Sequence, residues 1–90
     1  MRIDVFKRGS GEYIESTDFV GALYHLMLGH RVEVMTPAAV RFVISVVGDK
    51  VIVEVAERVV GEYQSALEAL RAVIDIVRAY KDLDMRGDAP

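Results

Sequence analysis

Residues 40 to 55 read VRFVISVVGDKVIVEV, and this stretch restricts the fold more than any other part of the chain. Ten of its sixteen positions are β-branched or aromatic, and Gly48 and Asp49 sit where a two-residue hairpin turn belongs. Pairing across that turn sets Val47 opposite Lys50, Val46 opposite Val51, Ile44 opposite Val53 and Phe42 opposite Val55. Side chains alternate along a strand, so one face of the hairpin is Phe42, Ile44, Val46, Val51, Val53 and Val55, with no polar residue. The opposite face carries Arg41, Val43, Ser45, Val47, Lys50, Ile52, Glu54 and Ala56, a mixture of charges and aliphatics that suits a contact surface better than open solvent. The chain therefore needs an antiparallel sheet, a cover for its apolar face, and a neighbour for Val43, Val47 and Ile52.

Two helices are expected to supply the cover. Ser16, Thr17 and Asp18 make a good helix start, and DFVGALYHLMLG then runs to Gly29, a natural stop. Its apolar residues leave only a thin polar edge, which predicts a helix covered on more than one side. The spacing predicts a second helix from Gly61 to about Leu83. Gln64, Glu68, Arg71, Asp75, Arg78 and Asp82 form its solvent stripe. Leu67, Leu70, Ile74 and Val77 make one apolar row, and Ala69, Val73, Ile76 and Tyr80 a second. One row suffices for a sheet, so the second is expected to meet another chain.

Shorter segments complete the sheet. RIDVFKR alternates as a half-buried strand does, Gly9-Ser10-Gly11 turns the chain, EYIE returns as a short strand, and RVEVMTP is a brief strand ended by Pro37. The expected architecture is one α+β domain over residues 1–83. It has an antiparallel sheet of three to five strands with two helices packed on one face, and residues 84–90 form a disordered tail.

Composition limits the function classes. A content of 52% hydrophobic residues is high for a 90-residue body, and it points to apolar surface reserved for a partner. Without cysteine there is no disulfide framework and no thiolate metal site. The longest apolar stretch is about half of what a bilayer needs, so a soluble cytoplasmic chain without a membrane span is expected. The net charge of −3 weighs against a stand-alone nucleic-acid binder. His25 and His30 are five apart, the wrong spacing for two imidazoles on one helix face. The serines lack a nucleophile pattern, GSGEY lacks the lysine of a phosphate loop, and the acidic GEYQSALEAL disfavours a double-stranded-RNA module. No catalytic, metal or cofactor site is specified.

The order strand, helix, hairpin, long helix, with the central-glycine hairpin VRFVISVVGDKVIVEV and the helical segment LRAVIDIV from Leu70 to Val77, resembles the CTAG/LAGE-type small subunit of the KEOPS complex. Asp75 stands where that family prefers Asn. A second register, one heptad earlier, aligns Tyr63 to Leu67 instead and places Gln64 and Glu68 at the family's Arg and Asn. The resemblance implies a non-catalytic subunit of the complex that makes threonylcarbamoyl-adenosine in tRNA. Such a subunit dimerises through its sheet and uses its helices to hold the catalytic subunit. Arg71 is the one motif position that carries over as a tRNA contact, and only in the first register.

The expected role is accordingly a dimerising or scaffold subunit, as a homodimer or with a related chain, contacting its partners through Val43, Val47, Ile52, Val73, Ile76 and Tyr80. The competing expectation is a small nucleic-acid-binding protein that uses Arg2, Lys7, Arg8, Arg31 and Arg41. A third is an enzyme whose site forms between subunits.

Overall fold

The computed structural model describes residues 1–87, with side chains through Ala79. The chain forms β1 (Arg2–Phe6), β2 (Tyr13–Thr17), α1 (Phe19–Met27), β3 (Arg31–Met35), β4 (Arg41–Val47), β5 (Lys50–Val55), β6 (Arg58–Tyr63) and α2 (Ala66–Gly87). The strands make one sheet in the order β2-β1-β3-β4-β5-β6, and every neighbouring pair is antiparallel. Among the described residues no helix is long and apolar enough to cross a membrane.

The class is the expected α+β, but the sheet has six strands rather than three to five. The central hairpin pairs in the expected register, Val47 with Lys50, Val46 with Val51 and Ile44 with Val53. Gly48 takes the positive φ, 63°, that the first position of its turn demands. The additional strand is β6. Its first residues follow a second two-residue turn at Ala56 and Glu57, both left-handed with φ of 52° and 65°. Neither residue type advertises such a turn, so the hairpin is hidden in the sequence.

The second helix consequently begins later than its periodicity suggests, at Ala66 rather than Gly61. Ser65 caps it, its Oγ accepting from the Glu68 N–H at 3.1 Å. The helix runs past Leu83 to Gly87, so residues 84–87 are helical where a disordered tail was expected. Residues 88–90 of that tail lie outside the described residues. At α1, Asp18 is the cap, its carboxylate accepting from the Gly21 N–H at 2.9 Å.

Both helices lie on one face of the sheet, α1 against β1, β2 and β3, and α2 against β4, β5 and β6. The core between the layers holds Val5, Val32, Val34 and Ile44 from the sheet with Ala22, Leu26, Leu70 and Val73 from the helices. Each large apolar side chain buried there contributes on the order of 1.5–3 kcal/mol.

This packing corrects one sequence expectation. On α2 the buried residues are Ala69, Leu70, Val73, Ile74 and Val77, one broad stripe drawn from both rows, while Leu67 is exposed. A helix on a sheet uses an apolar face more than 100° wide, so adjacent rows merge into one contact. On α1 two sides are covered, one by the sheet and one by α2, as expected for so apolar a helix. Ala22, His25 and Leu26 are buried, whereas Val20, Tyr24 and Met27 are exposed among the described residues.

The two edge pairings share one irregularity. In β1–β2 the register slips between Val5, opposite Glu15, and Phe6, opposite Tyr13, leaving Ile14 as an extra residue. In β5–β6 it slips between Val53, opposite Gly61, and Glu54, opposite Val59, leaving Val60 extra. The three inner pairings run without a break.

Candidate functional site: two uncovered surfaces and a basic cleft

The outer face of the sheet follows from strand alternation. Residues Arg2, Asp4 and Phe6 of β1, Arg31, Glu33 and Met35 of β3, Arg41, Val43, Ser45 and Val47 of β4, and Lys50, Ile52 and Glu54 of β5 all point away from the helices. Glu62 joins them opposite Ile52. No element of the described chain covers this face. Its strand residues bear four cations, Arg2, Arg31, Arg41 and Lys50, and four carboxylates, Asp4, Glu33, Glu54 and Glu62.

Those charges are organised around one costly pairing. Asp4 and Glu33 stand directly opposite each other on β1 and β3, and like charges in that position repel. Three arginines offset the repulsion: Arg2 lies 2.9 Å from Asp4, while Arg31 and Arg41 approach Glu33 at 3.1 and 3.3 Å. Burial pushes the Asp4 carboxyl up, but hydrogen bonds from Ser16 and Arg2 and the positive charges of Arg2 and Arg41 outweigh it. The group is left below the ordinary carboxylate range. The Arg31 guanidinium also lies over the Phe6 ring at 4.8 Å, and Phe6 meets the Tyr13 ring edge-on.

The residues assigned to contact in the sequence fall as follows. Val43 and Ile52 are half-buried on the outer sheet face, and Val47 is 60% exposed near its end. Ile76 is exposed on α2. Val73 is 0% exposed in this chain's own core, so it belongs to the sheet-facing stripe and is unavailable to a partner. The Tyr80 side chain lies outside the described residues.

A second surface was missed at residue level. Val20, Tyr24 and Met27 recur along α1 at spacings of four and three, Leu28 follows as its C-terminal cap, and they are 72, 60, 75 and 53% exposed. The signal was present, because a helix apolar nearly all round must be covered on more than one side. Sequence alone did not say which side this chain would leave open.

The basic residues divide into three groups. Arg2 and Arg41 are tied to Asp4 and Glu33 on the outer face. Arg71 is exposed on α2, on the other layer. Lys7, Arg8 and Arg31 gather at one end of the sheet, around a cleft of about 220 Å³ lined also by Gly9, Gly11, Gly29, Ser45 and Val46. The Arg8 N–H donates to His30 Nδ1 at 3.1 Å and so pins the β1–β2 turn to the segment after α1. His25 is held from the other side, its Nε2 2.9 Å from Glu15. The chain matches no family model, no curated protein and no solved structure.

Proposed function

We propose that this chain is a non-catalytic association subunit that pairs with a second copy of itself through the outer face of its sheet. The observation that carries the reading is the composition of that uncovered face, where Phe6, Met35, Val43, Val47 and Ile52 are interleaved with equal numbers of opposite charges. A surface balanced in this way repels neither a copy of itself nor any one sign of partner, and a two-fold axis suitably placed on it can set its cations against its carboxylates.

Size constrains the arrangement. A face of six strands and about five residues per strand spans roughly 29 by 17 Å, or about 490 Å² in projection, from ordinary strand spacings. Stable interfaces begin near ~600 Å² of accessible surface per partner, so a dimer has to use most of the face. The exposed α1 stripe then provides a separate contact for a larger partner. Self-association by sheet and partner contact by helix is the division implied by the similarity to the KEOPS small subunit, whose complex modifies tRNA.

Static light scattering at micromolar concentration is the direct test, with a dimer expected. Val43→Lys combined with Ile52→Lys is expected to give a monomer with an unchanged far-ultraviolet circular dichroism spectrum, since half-buried lysine stems can lie along the face with their charges in water. A wild-type monomer under these conditions rules the reading out. A dimer that survives this pair of changes but dissociates with Tyr24→Lys and Met27→Lys moves the interface to α1 and equally overturns it.

A further inference from the structure

We propose that the cleft at the end of the sheet is a binding site for a phosphate dianion, either inorganic phosphate or the terminal phosphate of a small phosphomonoester. This inference is independent of the association reading. Three cations line the cleft, Lys7, Arg8 and Arg31, and no carboxylate does.

Their charges are not equally available. Arg31 is committed to Glu33 at 3.1 Å and to the face of Phe6, so its charge is largely shared. Among the described residues no carboxylate lies within ion-pair distance of Lys7 or Arg8. The cleft thus offers about two uncompensated positive charges, the match for a phosphomonoester near neutral pH, which carries about −1.5 to −2. A phosphodiester or a carboxylate, with one negative charge, is a poorer match.

Geometry supports a small ligand over a nucleic-acid strand. The volume of about 220 Å³ is below the roughly 300–1,000 Å³ of sites for drug-sized molecules. A polymer also needs a track of cations, yet Arg2 and Arg41 are held by their own carboxylates and Arg71 lies on the opposite layer. Glycines at positions 9, 11 and 29 leave the rim without Cβ atoms, so a phosphate can approach the backbone there. The Arg8 side chain passes over Gly29, where an added Cβ would lie 3.2 Å from one of its terminal nitrogens, which places Arg8 at the mouth.

The test is a titration of the ¹⁵N-labelled full chain with inorganic phosphate, glycerol 3-phosphate, dimethyl phosphate and a single-stranded oligonucleotide at fixed ionic strength. Saturable shifts confined to the β1–β2 turn and residues 29–31 and 45–46 are expected for the first two, with dimethyl phosphate at least tenfold weaker. Inorganic phosphate binding as well as the ester identifies the free ion as a sufficient ligand, and binding by the ester alone identifies the substituted form; both support the site. Lys7→Gln and Arg8→Gln, both at exposed positions, are each expected to weaken binding about tenfold or more, while Arg41→Gln leaves it unchanged. Equal binding of the diester or oligonucleotide, or shifts spread over all the basic residues, overturns the proposal.

Discussion

Ala56 and Glu57 hold two left-handed backbone conformations in succession, which side chains with a Cβ adopt at a cost of the order of 1 kcal/mol each. Replacing them by the pair that such a turn favours, Ala56→Asn with Glu57→Gly, relieves that strain and costs some unfolded-state entropy at glycine. A net gain of about 1 kcal/mol is expected, which thermal unfolding reads as a rise of roughly 4–8 °C for a domain this small. The same two residues explain a limit of sequence reading. Gly48 announced its hairpin because glycine is the residue the turn needs, whereas Ala-Glu announces nothing, and the end of β6, Gly61 to Tyr63, was read as the start of the helix that follows. Asp4 supports a prediction of a different kind. Its folded-state affinity for protons is lowered, so its contribution to stability is present above the ordinary carboxylate range, near about 4, and is lost as the pH falls through its lower folded value. Urea unfolding between pH 5 and 2.5 should therefore show a smaller loss of stability for Asp4→Asn than for the unchanged chain.

At the scale of elements, α2 shows what periodicity can and cannot assign. The solvent stripe of Glu68, Arg71, Asp75 and Arg78 was legible and is exposed. The division of the remaining face into a sheet row and a partner row was not, because rows separated by one residue share the same groove over a flat sheet. The buried stripe makes a measurable distinction within the supposed single row. Leu70→Ala is expected to cost about 2–5 kcal/mol in chemical denaturation, because Leu70 is fully buried, whereas Leu67→Ala costs about 0.5 kcal/mol or less. Equal losses at the two positions would return Leu67 to the core. For α1 the expected cover on more than one side comes from within the chain, from the sheet and α2, and Val20, Tyr24, Met27 and Leu28 stay exposed.

For the whole molecule, the class and the central hairpin register were readable because alternation and one glycine determine them locally. The outer-face chemistry was not, since the opposition of Asp4 and Glu33 exists only once β1 is placed beside β3. That non-local pairing assembled the charge balance on which the proposed dimer rests. The overall charge of −3 therefore arises away from the strand residues of the outer face. Light scattering across a concentration series should accordingly level off at two copies, and a mass that keeps rising would contradict face-to-face closure.

The displaced residues Ile14 and Val60 bear on the same outcome. An open sheet presents two rows of unpaired peptide groups, an invitation to further strands and ultimately to fibrils. A residue inserted beside each border throws the hydrogen-bonding groups there out of step and twists the strand away from any flat neighbour. Growth of the sheet sideways is thereby discouraged at both borders, which leaves the face of the sheet, and with it the finite two-copy stacking proposed above, as the route for association.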